Sequence, residues 1–255
     1  MKKEGKNWEL ILGDCTEKLK KIPDNSIDLI FTDPPYGVAL REGSKETIKL
    51  FRHSSKNTVI TEEWDRFPDY QKFCHSWISE CDRVLRPKGW LCIWNDFRRI
   101  SDIQIVCDKY GFELADMLTW AKTNAPLTFP IGLIKSCEYC LIFYKKSKDK
   151  NYQKYLSKSL LRNYLLKPIT PTRERIEGGY HPTVKSRAVL YPLIEKYSRE
   201  GDIVLDPFSG SGSIIVSAIE LNRKSIGIEK EKDYYDISLK RINNISKQNN
   251  LNKWV

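Results

Sequence analysis

The sequence of 255 residues contains no apolar run as long as the ~18–20 residues that a membrane helix requires, and it has no signal-peptide pattern. Its seven cysteines are an odd number, which argues against a disulfide framework. Cys137 and Cys140 have the spacing of half a zinc site, but there is no second pair, and odd spacing along a strand places them on opposite faces. We therefore expect a cytoplasmic protein with reduced, mostly buried thiols and without a metal.

Common signatures of nucleotide binding are missing or incomplete. No Gly-Lys-Ser or Gly-Lys-Thr sequence is present, which excludes a phosphate-cradling P-loop. Ile215 stands where a dinucleotide fingerprint beginning at Gly210 and Gly212 would have its third glycine, so NAD and FAD are disfavoured. Cys15 has no proline-cysteine context, which argues against a covalent cytosine-C5 mechanism.

An apolar run, Ile27–Phe31, leads into Asp33-Pro34-Pro35-Tyr36. Two consecutive prolines have no N–H to give to a sheet, so the strand must end there. Asp33, the Pro34 carbonyl and the Tyr36 ring are thereby left at the carboxyl end of a strand, where open α/β sheets bind ligands. An acceptor pair beside an aromatic face suits a flat heterocycle with an exocyclic amino group. A simple proline turn after an edge strand is the alternative.

A second strand-and-turn pattern lies near the other end of the chain. The buried strand Ile203–Asp206 is followed by a turn containing Gly210 and Gly212, and then by an apolar helical stretch. This arrangement allows close approach of a nucleotide to free N–H groups at a helix start. The next strand ends in Glu229, which is placed to bind both ribose hydroxyls of an adenosine-containing cofactor. A glycine turn without a ligand is the alternative.

The net charge of +10 is concentrated in one segment. Residues 145–187 hold twelve Lys or Arg side chains against three acidic ones, with four tyrosines interleaved. This composition favours contact with a phosphate backbone over the alternative, a solvated charged surface. The predicted DNA-binding residues are Lys145, Lys146, Lys148, Lys154, Lys158, Arg162, Arg173 and Arg175.

Together the two strand-and-turn patterns resemble the catalytic and cofactor motifs of S-adenosylmethionine-dependent DNA amino-methyltransferases, in the motif order of the permuted beta group. Ser213 and Ser186 stand where that family usually has Thr and Pro. The resemblance covers nearly the whole chain. Further matches in the family's order are Gly13-Asp14-Cys15, Leu85-Arg86-Pro87-Lys88-Gly89, Trp120-x-Lys122-x-Asn124, Glu138-Tyr139-x-Leu141-Ile142-Phe143 and His181-Pro182-Thr183-x-Lys185.

The resemblance implies S-adenosylmethionine as the cofactor and a role for each matching residue. Asp14 would accept from the adenine of the cofactor, and His181, Thr183 and Lys185 would lie near its methionine end. The catalytic residues it implies are Asp33, Pro34, Pro35 and Tyr36. The cofactor-binding residues it implies are Asp14, Asp206, Phe208, Ser209, Gly210, Gly212, Glu229, His181, Thr183 and Lys185.

The fold that we expect is a doubly wound, mostly parallel, Rossmann-like α/β sheet carrying a small basic DNA-recognition insert. Residues 1–144 would form its catalytic half, 145–180 the insert and 181–255 the cofactor half. The predicted strands are Trp8–Leu12, Ile27–Phe31, Trp90–Trp94, Leu114–Trp120, Cys137–Tyr144, Ile203–Asp206 and Ser225–Ile228. Helical spacing is present at 70–85, 186–197 and 233–245, and Val38–Glu63 is predicted to be a loop beside the active site.

The implied function is site-specific methylation of the N6 amino group of a flipped adenine in double-stranded DNA, as part of a restriction-modification system. A cytosine-N4 methyltransferase is the first alternative, because it uses the same amine chemistry; that group more often has Ser before Pro-Pro-Tyr. A nucleic-acid-binding protein without catalysis is the second alternative. A homodimer and a cognate restriction endonuclease encoded elsewhere are compatible with these expectations.

Overall fold

The computed structural model describes residues 1–37, 67–125, 136–146, 162–179 and 184–251. The predicted loop at Val38–Glu63 lies outside these residues. The strands of the described part are β1 (Lys2–Gly5), β2 (Trp8–Leu12), β3 (Ile27–Thr32), β4 (Leu85–Asn95), β5 (Phe112–Lys122), β6 (Cys137–Lys145), β7 (Tyr164–Lys167), β8 (Ile203–Asp206) and β9 (Lys224–Glu229).

These strands form one sheet in the order β1-β2-β9-β8-β3-β4-β6-β5-β7. The centre, from β2 to β4, is parallel throughout. Antiparallel pairs occur on both sides, where β1 joins β2 and where β6 lies between β4 and β5. The predicted doubly wound, mostly parallel α/β fold is confirmed.

Helices cover both faces of the sheet. They are α1 (Cys15–Lys18), α2 (Tyr70–Val84), α3 (Ile100–Lys109), α4 (Thr172–Ile176), α5 (Arg187–Tyr197), α6 (Ser213–Glu220) and α7 (Lys232–Leu251), with 3₁₀ turns at Leu19–Lys21 and Phe97–Arg99. Side chains alternate along β4, so Leu91 and Ile93 pack with α2 and α3, whereas Cys92 and Trp94 pack with α5 and α6. No helix in the described part of the chain is long and apolar enough to cross a bilayer.

The helix α2 shows how the local sequence builds one of these layers. Asp69 caps its start by accepting a hydrogen bond from the Lys72 N–H over 2.9 Å. Its buried side chains recur at the helical spacing expected from the sequence, and they form a stripe against the sheet. The members of this stripe are Tyr70, Cys74, Trp77, Ile78, Cys81 and Val84.

Two strands lie where none was predicted. Each residue of β1 is exposed, and β1 pairs antiparallel with β2 at the edge of the sheet. The strand β7 lies inside the predicted basic insert and pairs in parallel with β5 at the edge of the main sheet. Within the described part of the insert, β7 therefore extends the sheet, and the role of the insert in DNA recognition stays a prediction.

The parallel strands β2, β3, β4, β8 and β9 all end at one edge of the sheet, which we call the cleft edge. Because β6 runs antiparallel to β4, its first residues lie at the cleft edge and its last residue, Lys145, lies at the opposite edge. The strand β5 is antiparallel to β6, so its last residue, Lys122, is again at the cleft edge.

Candidate active site

A cleft of about 1460 Å³ opens at the cleft edge. It is lined by Asp33–Tyr36 after β3, by Pro207–Ser211 after β8 and by Glu229–Glu231 at the end of β9. The two motifs recognised in the sequence, which lie more than 170 residues apart in the chain, thus border one cavity. This volume exceeds the ~300–1,000 Å³ of a typical small-molecule pocket, so there is room for a cofactor and a second ligand.

Asp33 is held from two sides in this cleft. Its Oδ1 accepts a hydrogen bond from the Tyr36 hydroxyl, and its Oδ2 lies 2.5 Å from Lys185 Nζ. Burial, together with the nearby carboxylates of Asp33 and Glu138, raises the pKa of Tyr36 well above its usual value. Tyr36 therefore remains protonated and acts as a donor to Asp33.

The main chain around the two prolines is fixed by residues that the sequence did not single out. The Tyr70 hydroxyl donates to the Pro35 carbonyl over 2.9 Å, and Asn95 Nδ2 donates to the Tyr70 hydroxyl over 3.1 Å. Arg99 donates to the carbonyls of Tyr36 and Gly37 over 3.2 and 2.8 Å. A polar Asn95 ending the apolar strand β4 was the available signal for this network.

Glu229 organises the glycine turn. Its Oε2 accepts from the Gly210 N–H and its Oε1 from the Glu231 N–H, both over 2.7 Å. Burial raises the pKa of Glu229, although these N–H groups oppose the rise by favouring the carboxylate. Gly210 and Gly212 have φ values of 49° and 75°, the left-handed region that favours glycine. The predicted ribose-binding acid therefore lies against the predicted cofactor turn.

Ser209 and Phe208 complete the wall beside this turn. Ser209 Oγ is buried and has no hydrogen-bond partner among the described residues, although Ser209 lines the cleft. Phe208 packs at 5.8 Å from the Phe73 ring and edge-on at 5.3 Å from the Trp77 ring. An unsatisfied hydroxyl beside an aromatic wall is suited to a ligand that brings both polar and apolar groups.

Asp14 and Asp206 line the same cleft, but both also have structural roles. Asp14 caps α1 by accepting from the Thr16 N–H over 3.0 Å; burial opposes ionisation, yet Thr16 and Lys230 hold the pKa of Asp14 below its usual value. Asp206 is only 1% exposed, and burial raises its pKa to about 7. Its Oδ1 accepts from the Thr32 hydroxyl and from the Phe208 N–H. Contact of either carboxylate with a cofactor stays a prediction.

Lys185 lies beside the predicted catalytic carboxylate. The cofactor-binding role that we expected for it at the methionine end stays a prediction. Its Nζ contacts the carboxylates of Asp33 and Glu138 and lies 3.3 Å from the Tyr36 hydroxyl. Glu138, at the start of β6, was not predicted as a site residue. His181 and Thr183 lie outside the described residues.

The predicted DNA-binding residues that the structure describes lie at different places on the sheet. Lys145 is at the edge opposite the cleft, where Nζ lies 3.1 Å from Asp82 Oδ1 and donates to the Leu85 carbonyl over 3.0 Å. Lys146 follows it and is exposed, with Nζ 3.6 Å from Glu113. Lys145 pairs with the first residue of β5, about 30 Å from the cleft-edge residue Lys122. This placement argues against the phosphate contact predicted for Lys145, because its ammonium group is used within the fold.

The remaining members of this set differ from Lys145. Arg162 precedes β7 and donates to the Tyr164 hydroxyl over 2.6 Å, part-way along the sheet. Arg173 and Arg175 lie on α4, which follows the cleft-edge end of β7. Arg175 lines the cleft itself, and Arg173 is exposed. Lys148, Lys154 and Lys158 lie outside the described residues.

Comparisons with known proteins identify the family of the chain. Residues 27–240 match the family model described as DNA methylase. The chain belongs to the DNA methylase family. It is 36% identical to Type II methyltransferase M.HinfI of Haemophilus influenzae, in an alignment that covers 92% of this chain and 68% of that protein.

Solved structures give the same result. The crystal structure of the M1.HpyAVI–SAM complex matches with a TM-score of 0.64 and 27% identity, over 92% of this chain and 99% of that one. The PvuII DNA methyltransferase, described as cytosine-N4-specific, matches with a TM-score of 0.69 and 20% identity, over 92% and 86%. The second likeness concerns the fold alone.

The DNA methylase is therefore an enzyme that uses S-adenosylmethionine, as the sequence resemblance implied. The cleft fits this cofactor: Glu229 ends a strand beside the glycine turn, Ser209 offers an unsatisfied hydroxyl, and Phe208 gives an apolar wall. Glu229 would hold the ribose, and the turn at Gly210–Gly212 would lie against the rest of the cofactor. When bound, S-adenosylmethionine supplies an electrophilic methyl group on a sulfonium.

Proposed function

We propose that this DNA methylase methylates the N6 amino group of an adenine extruded from double-stranded DNA. The observation that carries the proposal is the position of Asp33, Pro34 and Tyr36 in the same cleft as the glycine turn and Glu229. A base inside a duplex cannot reach residues that line a cleft, so it must leave the stack. The remaining volume of the cleft supports binding of a flipped base beside the cofactor.

The site residues provide acceptors for an amine. The exocyclic nitrogen of adenine is a poor nucleophile because its lone pair is delocalised into the ring. Acceptance of its two N–H groups by Asp33 and by the Pro34 carbonyl favours the attacking geometry and stabilises positive charge that develops on nitrogen. The Tyr36 ring would stack on the base, a contact worth ~1–3 kcal/mol.

The transfer of the methyl group also requires a group that accepts a proton, and Asp33 can have this second role. One N–H hydrogen of the amino group is replaced by one methyl group, so nitrogen must lose a proton once the new N–C bond has formed and the S–C bond has broken. The Asp33 carboxylate is placed to accept this proton and pass it to solvent. No cysteine nucleophile is needed, and burial raises the pKa of Cys15, which keeps that thiol protonated.

Cytosine N4 is the second candidate target, because the same two acceptors recognise any exocyclic amine. The PvuII DNA methyltransferase, described as cytosine-N4-specific, has a similar fold, so the fold alone does not decide between the two bases. Asp at position 33, where the cytosine-N4 group more often has Ser, favours adenine. The broad face of Tyr36 also suits a purine.

Nucleoside analysis separates these possibilities. Duplex DNA is incubated with the enzyme and labelled S-adenosylmethionine, digested to nucleosides and analysed by mass spectrometry, with Asp33→Ala as the inactive control. We expect label in N6-methyladenine. A dominant N4-methylcytosine signal would overturn the choice of base, and 5-methylcytosine would overturn the mechanism.

We further propose that the enzyme acts at a specific site as the modification half of a restriction-modification system. The match to a protein named as a Type II methyltransferase supports this. Methylation-aware sequencing of DNA from cells that express the enzyme should give one motif, whereas scattered methylation would argue against it. A cognate endonuclease, a homodimer and a cytoplasmic location stay predictions, and light scattering of the purified chain would test the dimer.

A further inference from the structure

Lys185 and Asp33 form a buried contact that joins distant parts of the chain. Lys185 lies just before α5 and Asp33 just after β3, 152 residues earlier. The Lys185 side chain is only 7% exposed, and its Nζ is 2.5 Å from Asp33 Oδ2. An ammonium ion is costly to bury unless it is paired, so the Asp33 carboxylate accounts for part of its stabilisation.

A second carboxylate holds Lys185 from the other side. Glu138 Oε2 lies 3.0 Å from Lys185 Nζ, and Glu138 Oε1 lies 2.5 Å from Lys122 Nζ. The series Lys122–Glu138–Lys185–Asp33 therefore alternates two cations with two carboxylates and carries no net charge. Its members come from β5, from β6, from the segment before α5 and from the loop after β3, and all four line the cleft.

The members of this series keep one another ionised. Burial opposes the charge of Lys185, but Asp33 and Glu138 raise the pKa of Lys185 above its usual value. Burial likewise opposes the charge of Glu138, but Lys185 and Lys122 hold the pKa of Glu138 at about 2. Lys185 is consequently a permanent cation against Asp33 at any pH at which the enzyme works.

We propose that Lys185, held by Glu138, is a positioning residue that fixes the plane of the Asp33 carboxylate through Oδ2 and leaves Oδ1 to the amino group of the base. This inference rests on the proposed role of Asp33 as the acceptor of that amino group. A carboxylate that is free to turn about its last torsion offers its oxygens in many directions. Fixing one oxygen defines the direction of the other, and an error of 1 Å in a reacting geometry can cost about 100-fold in rate.

The Tyr36 hydroxyl supports this division of the two oxygens. It donates to Oδ1, the same oxygen that we assign to the base, while Lys185 takes Oδ2. Both donors bind an ionised acceptor, but only the Lys185 contact joins two opposite full charges, and removing one member of such a buried pair leaves the other uncompensated. The incoming amino group would therefore replace Tyr36 at Oδ1 and not Lys185 at Oδ2.

The competing explanation is that Lys185 only balances buried negative charge. The double variant Lys185→Met/Glu138→Gln separates the two explanations, because it removes one cation and one anion together. We expect this variant to be more stable to heat than Lys185→Met alone, since Lys185→Met leaves Asp33 and Glu138 without their shared cation. We also expect its kcat to remain about 100-fold below that of the wild type, because Asp33 has lost its fixed orientation.

Calorimetric titration with S-adenosylmethionine accompanies the kinetic measurements. A cofactor Kd within about threefold of wild type, combined with the fall in kcat, supports the positioning role. Recovery of kcat in the double variant would show that only charge balance matters, and a Kd that rises in proportion to the loss of activity would place Lys185 at the cofactor; either result overturns the proposal. Asp33→Ala measured in parallel tests the underlying role, because an active Asp33→Ala would refute the proposed function itself.

If the double variant does not fold, the single variant Glu138→Gln tests the positioning role of Lys185. It keeps the size of the side chain and one acceptor oxygen, but it weakens the hold on Lys185. A fall in kcat of about tenfold with an unchanged cofactor Kd is expected, because the ion pair that holds Lys185 is weakened but not removed. An unchanged kcat in a folded Glu138→Gln variant would overturn the proposal.

Discussion

The Thr32 hydroxyl donates a hydrogen bond to Asp206 Oδ1 over 2.8 Å, and both side chains are buried at the ends of neighbouring strands. Thr32 immediately precedes Asp33, and Asp206 begins the cofactor turn. The same Asp206 oxygen accepts from the Phe208 N–H over 3.1 Å. This single carboxyl group thus ties the catalytic loop to the cofactor turn, which gives it a role in stability that can be measured separately from activity.

Asp206→Asn should stabilise the enzyme at alkaline pH. Burial raises the pKa of Asp206 from 3.8 to about 7, so the folded state binds a proton that the unfolded state has lost between these values. Stability from this group is therefore lost as pH rises from about 4 to about 7. Asn keeps the acceptor without the charge, and the gain at pH 8 is at most about 4 kcal/mol. Urea unfolding of both proteins at pH 5 and pH 8 measures the difference, and a gain that does not depend on pH would contradict the raised pKa.

Thr32→Val is the matched control for this effect. It removes the donor and keeps the shape, so Asp206 loses one of its two hydrogen bonds. A loss of about 1–3 kcal/mol is expected. The loss should be larger at pH 8 than at pH 5, because the ionised carboxylate depends more on its donors than the protonated one does.

Tyr36→Phe and Tyr36→Ala should separate the contribution of the Tyr36 ring to DNA binding and catalysis from that of its hydroxyl. The hydroxyl donates to the Asp33 oxygen that we assign to the base, so its removal frees that acceptor while the stacking face remains. We expect Tyr36→Phe to leave KM for DNA unchanged or lower, with kcat within about threefold. Loss of the ring in Tyr36→Ala should raise KM by about tenfold or more, as expected for one stacked base. Steady-state kinetics on one duplex measures both, and equal defects in the two variants would mean that the hydroxyl itself is required.

Asp33→Ala and Glu229→Ala should have opposite effects. Asp33 lies on the side of the cleft that we assign to the base. Removal of its carboxylate should therefore lower kcat by about 10³-fold or more and leave the cofactor Kd largely intact. Glu229 holds the glycine turn through Gly210 and Glu231, so its loss should raise the cofactor Kd first. Calorimetric titration with S-adenosylmethionine measures the cofactor Kd of both variants. Loss of cofactor binding in Asp33→Ala would make Asp33 a structural residue.

The parts of the fold that the sequence predicted are those with periodic apolar side chains. The apolar stripe of α2 and the apolar runs in β3 and β8 bury one face or both. Because buried positions need apolar side chains, their spacing can be recognised in the sequence. The strand β1, Lys2–Gly5, shows no such pattern, because it is exposed and is held by main-chain pairing with β2 and by an ion pair between Lys2 and Glu9. Motif residues such as Glu229 were predictable for a similar reason, since strand ends and glycine turns are local features.

The part of the site that could not be predicted depends on contacts between distant segments. The pairing of Lys185 with Asp33 spans 152 residues and has no local signature. Glu138 could have been suspected as a charged residue at the start of a mostly apolar strand. Its partners could not, because Lys122 comes from the antiparallel strand β5 and Lys185 from the distant segment before α5. The antiparallel course of β6 places Lys145 far from the cleft, which charge counting along the sequence could not show.

Arg175→Gln and Lys146→Gln form a matched pair for the DNA-binding surface, since each removes one positive charge. Arg175 lines the cleft, whereas Lys146 follows the strand end at the opposite edge of the sheet. If Arg175 contacts a phosphate, its loss should reduce the slope of log K against log salt by about 0.9, because one fewer counterion is released. Lys146→Gln should leave the slope unchanged, and fluorescence anisotropy of a labelled duplex between low and moderate salt measures both. If neither variant changed the slope from that of the wild type, the phosphate contacts would lie elsewhere. A reduced slope for Lys146→Gln alone would mean that DNA binds at the edge of the sheet opposite the cleft.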